Sequence, residues 1–248
     1  MEKKYAFILA ILITLLIGGN WLFFNADKIF SEREVVVISR VIDGDTVELE
    51  DGRTIRLENI NAEEKGRPFS QEAFEFLNKF ENKTVEMDSD GVGKYGRVIG
   101  RIYSTSGEYL NLKIVELGFA HSYIVADEEL KEFKEAEKKA QENQAGIWKN
   151  SENYGCLNAV INKKDEYVFF ENNCGNLNEW TIKDESTKNY KFGEIDYEEF
   201  ILYSGGGVNE GSEIYWDRSG GNVWNNDKDS IFVRDSDGLL VFYDSYGY

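Results

Sequence analysis

VVVISRVIDGDTVELEDGRTIRLENINAEE, residues 35–64, decides the fold. Val35 to Ile42 is β-branched and apolar, as a strand should be. Thr46–Leu49 and Thr54–Leu57 alternate in polarity around Asp51-Gly52, which predicts a type I′ hairpin. Between the first strand and that hairpin lies Asp43-Gly44-Asp45, two carboxylates flanking a glycine at a strand break.

Outward from this stretch, Pro68-Phe69-Ser70 opens a helix that presents Ala73, Phe74, Leu77 and Phe80 on one face. Two more strands are expected at Lys83–Met87 and Arg97–Tyr103. A short helix over Leu110–Leu117 should stop at Gly118, a C′ position. A longer helix from about Asp127 to Ala145 carries the stripe Leu130, Phe133, Ala136, Ala140, and Gly146 ends it. Ile147-Trp148 should tuck back onto the core. Five short strands interrupted by helices suit a partly open barrel of the OB type with three helices, an α+β arrangement. After Asn150–Gly155 the pattern changes to strand-like runs separated by Gly, Asn and Asp turns. These are Tyr167–Glu171, Trp180–Lys183, Phe200–Tyr203, Glu213–Trp216, Ser230–Arg234 and Leu239–Tyr243, and they read as an all-β sandwich. The expected divisions are 1–33, an anchor or signal segment with a polar tether; 34–150, the barrel; and 155–248, the sandwich.

The 248 residues carry a formal charge of −18, most of it after residue 150. No segment is a basic coat for nucleic acid, so any such substrate must be gripped locally by a few arginines and lysines. Lys3-Lys4 precede an apolar run over residues 5–24 that is long enough to span a bilayer as a helix. Charge on either side puts the N-terminus inside. The run ends in Trp21-Leu22-Phe23-Phe24, an interfacial anchor; a cleaved signal peptide is the rival, which would leave the chain secreted. Either reading puts the remainder outside the cytoplasm. There the two cysteines, Cys156 and Cys174, read as a disulfide, with two buried thiols as the alternative. Such a closed loop stabilises by about 3 kcal/mol on the chain-entropy model.

Three groups carry chemistry. Asp43 and Asp45 can place one oxygen on a cation while the other supports it, although alone they read as a turn. Arg56 alone reads as a rim ion pair, with Glu64 eight residues on in a loop. Lys94-Tyr95-Gly96-Arg97 alone reads as a turn between strands. Together they supply oxygens for a hard cation, guanidinium groups for phosphate oxygens and a carboxylate for water. His121, the only histidine, is expected to be structural or on the surface.

In combination these positions, over Val35 to Trp148, resemble the staphylococcal nuclease (thermonuclease) family. IDGDT, the arginine-to-glutamate spacing, KYGR and a terminal helix ending in GIW carry the resemblance. It implies an OB barrel with calcium-dependent phosphodiester hydrolysis of DNA or RNA, leaving 3′-phosphates. By position it implies calcium ligation by Asp45, Asn61 and the Ala62 carbonyl, with Asp43 behind them. It assigns catalysis to Arg56, Glu64 and Arg97, and substrate contacts to Lys94, Tyr95 and Tyr123. Asn61 stands where the family has aspartate, so one charge is lost and weaker metal binding is expected. Gly93 stands where the family often has aspartate.

The C-terminal part resembles a lamin-tail domain, an immunoglobulin-like sandwich. Asn178–Glu185, the glycine-rich Tyr203–Gly207 and Val223–Asn226 carry that resemblance, which implies a surface or protein partner. Trp180, Trp216 and Trp224 are expected in its core and turns. The expectation is therefore a membrane-anchored, externally facing endonuclease acting on single or flexible strands. The alternatives are a catalytically silent binding module, or an envelope scaffold working through its C-terminal sandwich.

Overall fold

The computed structural model describes residues 33–247 apart from 94, 95, 187, 219 and 221. The expected anchor over residues 5–24, and Lys94 and Tyr95, lie outside the described residues. Among the described residues no helix is long and apolar enough to cross a membrane.

Five strands close a barrel in the order β1-β2-β3-β6-β5. They are β1 (Glu34–Val41), β2 (Thr46–Leu49), β3 (Thr54–Leu57), β5 (Thr84–Val92) and β6 (Val98–Ser104). The β3–β6 pair is parallel, with Arg56 opposite Ile99, and backbone bonds between Ile38 and residues 82–83 close the ring. This is the OB-like barrel that alternation in residues 35–64 predicts: Ile38, Val47, Leu49, Ile55 and Leu57 all point into its core. The hairpin differs from expectation. Leu49 accepts from Gly52, and Gly52 alone takes a positive φ (87°), with Asp51 absent from the left-handed region. That is a type I turn followed by a glycine bulge, because three residues rather than two separate the paired positions Leu49 and Arg53.

Two strands too short to announce themselves, β4 (Ile60–Ala62) and β7 (Ala120–Ser122), pair antiparallel beside the barrel. Among the described residues the α-helices are α1 (Ser70–Asn78), α2 (Leu110–Glu116) and α3 (Leu130–Glu142). In α1 Phe76 is buried and Phe74 only partly, so the buried face is rotated from the one expected. Helix α3 begins and ends inside the expected span, burying Phe133, Ala136 and Ala140. The glycines that follow α2 and α3 meet each other. A Cβ on Gly146 would lie 2.0 Å from the Gly118 carbonyl oxygen, and Ile147 N donates to that oxygen at 2.8 Å. Only glycine permits this approach, and it seats Ile147 and Trp148 in the core.

Beyond Asn150 the chain is all β. One sheet runs β11-β10-β14-β15, from Asn189–Lys191, Thr181–Lys183, Asp229–Arg234 and Leu240–Tyr246. The other runs β13-β12-β9-β8, from Glu213–Tyr215, Glu199–Tyr203, Tyr167–Asn172 and Leu157–Asn162. Ile182, Ile231 and Val233 of the first share a core with Val168, Phe170, Phe200 and Leu202 of the second, together with Trp180, Trp216 and Trp224. Cys156 and Cys174 form the disulfide, with Cα atoms 5.1 Å apart. A further cluster joins barrel and sheets: Ala140, Ile147 and Trp148 pack on Phe232 and Leu240.

Candidate active site

Gly44 brings the acidic turn against the rest of the barrel. A Cβ there would lie 2.6 Å from Ala73 Cβ on α1 and 2.8 Å from Ala62 Cβ on β4. The turn is held from within, since Asp45 N donates to Asp43 Oδ1 at 3.1 Å. Asp45 is thereby carried inward to 7% exposure. Its Oδ2 accepts from Ala62 N at 2.9 Å and its Oδ1 from Thr46 Oγ1 at 3.0 Å. Burial pushes the Asp45 carboxyl up to about 6; Arg56 opposes this and Asp43 adds to it.

Arg56, on β3, is nearly enclosed. Its Nη1 donates to the carbonyls of Leu57 and Ile60 at 2.8 and 2.9 Å. Its Nη2 lies 3.0 Å from Asp45 Oδ2 and donates to Asn61 Oδ1 at 2.9 Å. The two side chains expected to ligate a cation therefore converge on one guanidinium nitrogen. Asn61 also turns its Nδ2 toward the C-terminal sheets, donating to the carbonyls of Glu185 and Ser186 at 3.0 and 3.1 Å. An aspartate could not make these two bonds.

These groups open onto a cleft of about 730 Å³. Glu64 and Arg97 line it beside Asp43, Asp45, Arg56 and Asn61, and so does Tyr123. Glu64 is exposed in the loop after β4. Tyr123 is half-buried; burial, and then Glu185 and Asp184, raise its phenol. Thus six expected side chains and Tyr123 share one cleft, while Lys94 and Tyr95 lie outside the described residues. His121 is buried at the junction with the sheets, its ring 5.0 Å from that of Phe232. Burial, then Lys183, hold its imidazole at about 3, so it is neutral, and Nδ1–H donates to the Ser122 carbonyl.

The cleft also has walls that sequence reading missed. Thr46, Glu58 and Asn59 follow from their neighbours' positions. Ser186 does not: it lies 125 residues from Asn61, and no local pattern marks it. It is held there because the buried Asp184 carboxylate accepts from Ser186 N and Lys188 N at 3.0 and 3.1 Å.

Among the described residues, no cluster of three or more His, Cys, Asp or Glu is placed to hold a metal. The oxygen donors at the cleft are the buried Asp45 carboxylate and the Asn61 amide oxygen, both suited to a hard cation, whereas Ala62, expected to add its carbonyl, lines a neighbouring cavity instead. The Asp45 carboxyl stays high at about 6 even with a guanidinium beside it. Burial is the first cause of that rise, and a cation beside the carboxylate would oppose it as Arg56 does.

Residues 54–150 match the family described as Staphylococcal nuclease homologue. That stretch, a little under two fifths of the chain, is similar to the family. It contains Arg56, Asn61, Ala62, Glu64, Arg97 and Tyr123, whereas Asp43 and Asp45 precede it. The chain is 30% identical over 139 residues to Endonuclease YhcR of Bacillus subtilis (strain 168), covering 47% of this chain and 11% of that protein. An endonuclease of Escherichia coli is 34% identical over 90 residues, covering 35% and 59%. The succinoglycan biosynthesis protein ExoI of Rhizobium meliloti (strain 1021) is 27% identical over 138 residues, covering 50% and 71%. The chain thus spans a small part of the first relative and under two thirds of the second.

Proposed function

We propose that this chain is a calcium-dependent nuclease that hydrolyses phosphodiester bonds of DNA or RNA outside the cytoplasm, favouring single or flexible strands. One observation carries the reading: Asp45, Asn61, Arg56, Glu64 and Arg97 face a single open cleft within a stretch that matches a nuclease family. Arg56 is preorganised, because the Leu57 and Ile60 carbonyls fix the plane of its guanidinium before substrate arrives. Arg56 and Arg97 hold phosphoryl oxygens and meet the charge that develops on them. Glu64, exposed at the cleft wall, orients a water and takes its proton. Asp45 and Asn61 would hold calcium, which when bound polarises the phosphoryl oxygen. The residues N-terminal to the barrel tether it to a membrane through residues 5–24. The C-terminal sheets, read as a lamin-tail sandwich, meet a surface or protein partner.

The test is cleavage of single-stranded DNA by the full chain, with calcium or with chelator. Calcium-dependent cleavage should fall by about 10²- to 10⁴-fold in Glu64→Gln, and Arg97→Ala should also lose rate. Binding without cleavage at millimolar calcium would replace this reading with that of a binding module.

A further inference from the structure

An amide can face a cleft with its oxygen or with its nitrogen, and at Asn61 the neighbours permit one choice. Arg56 Nη2 donates to Oδ1 at 2.9 Å, while Nδ2 donates to the carbonyls of Glu185 and Ser186 at 3.0 and 3.1 Å. Turned end for end, the amide would set its NH₂ against the guanidinium and its oxygen against two carbonyls. Both ends would then meet groups of their own kind. The bend between β10 and β11 therefore selects which atom Asn61 shows to Arg56. An aspartate would offer oxygen in either orientation and need no selection.

The bend is itself pinned. The fully buried Asp184 carboxylate accepts at Oδ1 from Ser186 N and Lys188 N at 3.0 and 3.1 Å. The Ser186 hydroxyl lies 2.9 and 2.8 Å from its two oxygens, and Lys188 Nζ lies 3.1 Å from Oδ2. Asp184 N donates to the Lys188 carbonyl at 3.1 Å and closes the bend. Behind it Asp229, also fully buried, accepts from Glu185 N at 3.1 Å. The N–H groups of both residues that meet Asn61 are thus held by buried carboxylates. Burying a carboxylate is costly unless such bonds offset it.

We propose that Asp184 is a positioning residue of the catalytic cleft, fixing the bend whose carbonyls hold the Asn61 oxygen toward Arg56. The C-terminal sheets then complete the cleft, whatever partner they also meet. The effect on rate rests on the nuclease reading; the effect on the amide does not. Loss of a group that orients a site residue from behind typically lowers activity by about 10- to 100-fold.

The Asn61 side-chain amide, followed by ¹H–¹⁵N NMR in the full chain and identified by its loss in Asn61→Asp, reads the orientation directly. In the wild type its protons should exchange with solvent far more slowly than those of exposed asparagines. In Asp184→Ala that protection should go, while backbone amides of β2 and β3 keep theirs. Cleavage of single-stranded DNA by Asp184→Ala should fall about tenfold or more. In an Asn61→Asp background, with oxygen at both ends of the side chain, the same change should cost less than about threefold. An equal fall in both backgrounds overturns the proposal, since the bend would then act on the fold alone. So does a wild-type Asn61 amide that exchanges freely, or a loss of protection that spreads to the barrel strands. If Asp184→Ala does not fold, Asp184→Asn, which keeps the shape and sets an NH₂ against Lys188, takes its place in each comparison. Should the wild type cleave nothing, the nuclease reading fails and the exchange measurements still decide whether Asp184 orients Asn61.

Discussion

At Asn61 the amide group faces two ways, its oxygen to Arg56 and its nitrogen to the carbonyls of Glu185 and Ser186. The residue that leaves the cleft one charge short is therefore the one that binds barrel to sheets. Changing Asn61 to Asp should exchange these properties. A carboxylate adds a charged donor for calcium and tightens its binding. It also strands two carbonyls and sets negative oxygen against them, at a cost of about 2 kcal/mol. In a chain of this length that is a fall in Tm of about 4–8 °C. Melting Asn61→Asp in chelator, alongside a calcium titration, checks both halves. A variant that melts with the wild type would show that the two bonds contribute nothing. The sequence shows that Asn61 departs from the family pattern. It gives no reason, because the partners lie 124 and 125 residues away, in the bend between β10 and β11, whose own pairing must first be known.

At the scale of elements, the acidic turn is positioned by its contact with α1 and β4 rather than by its own hydrogen bonds alone. Gly44→Ala drives a methyl group into Ala73 and Ala62, with separations of 2.6 and 2.8 Å. Overpacking of this kind costs about 1–3 kcal/mol. Because the strain falls one residue from Asp45, cleavage should suffer more than stability does. Adding Ala73→Gly, which removes the nearer methyl, should restore part of the rate, and no restoration would place the defect elsewhere. The elements themselves were legible where one face is wet. Alternation over Thr46–Leu49 and Thr54–Leu57, and the glycines at 118 and 146, mark real strands and real helix ends. The β4–β7 pair was not legible. Three residues give too short a period to read, and Ile60 and Ser122 meet only because the barrel brings them together. The turn at Asp51-Gly52 was misread because its dipeptide suits both a two-residue loop and a bulged three-residue one.

For the whole molecule, barrel and sheets are joined by a packed seam and by charge. Trp148 meets Tyr243 edge-on with centroids 4.8 Å apart, and Arg234 bonds the Ile147 carbonyl at 2.7 Å. Nothing local in residues 35–150 announces that seam. Trp148 reads as core in either case, and Glu63 reads as one more surface charge. The structure makes Glu63 the hinge of the electrostatics. Burial works to raise its carboxyl, but Lys183 and Arg234 outweigh burial and bring it from 4.5 down to about 2. A carboxylate lowered in the folded state adds stability that is complete above its unfolded pKa. That stability is lost as pH falls toward the folded one. At about 1.4 kcal/mol per pH unit, Glu63 contributes about 3 kcal/mol at neutral pH. Asp45 and Asp229, both raised to about 6, act with the opposite sign, since their cost is present above pH 6 and relieved below it. A pH scan of the wild type alone would mix these contributions, whereas its difference from Glu63→Gln cancels the other two. That difference should be about 3 kcal/mol near pH 6 in denaturant unfolding, and less than half as large near pH 3. Near pH 3 the unfolded chain's Glu63 is already protonated while the folded one, at about 2, is still mostly ionised, so only the last part of the contribution remains. A difference that stays constant across this range would mean that the side chain acts through its shape alone, and that charge does not hold the seam together.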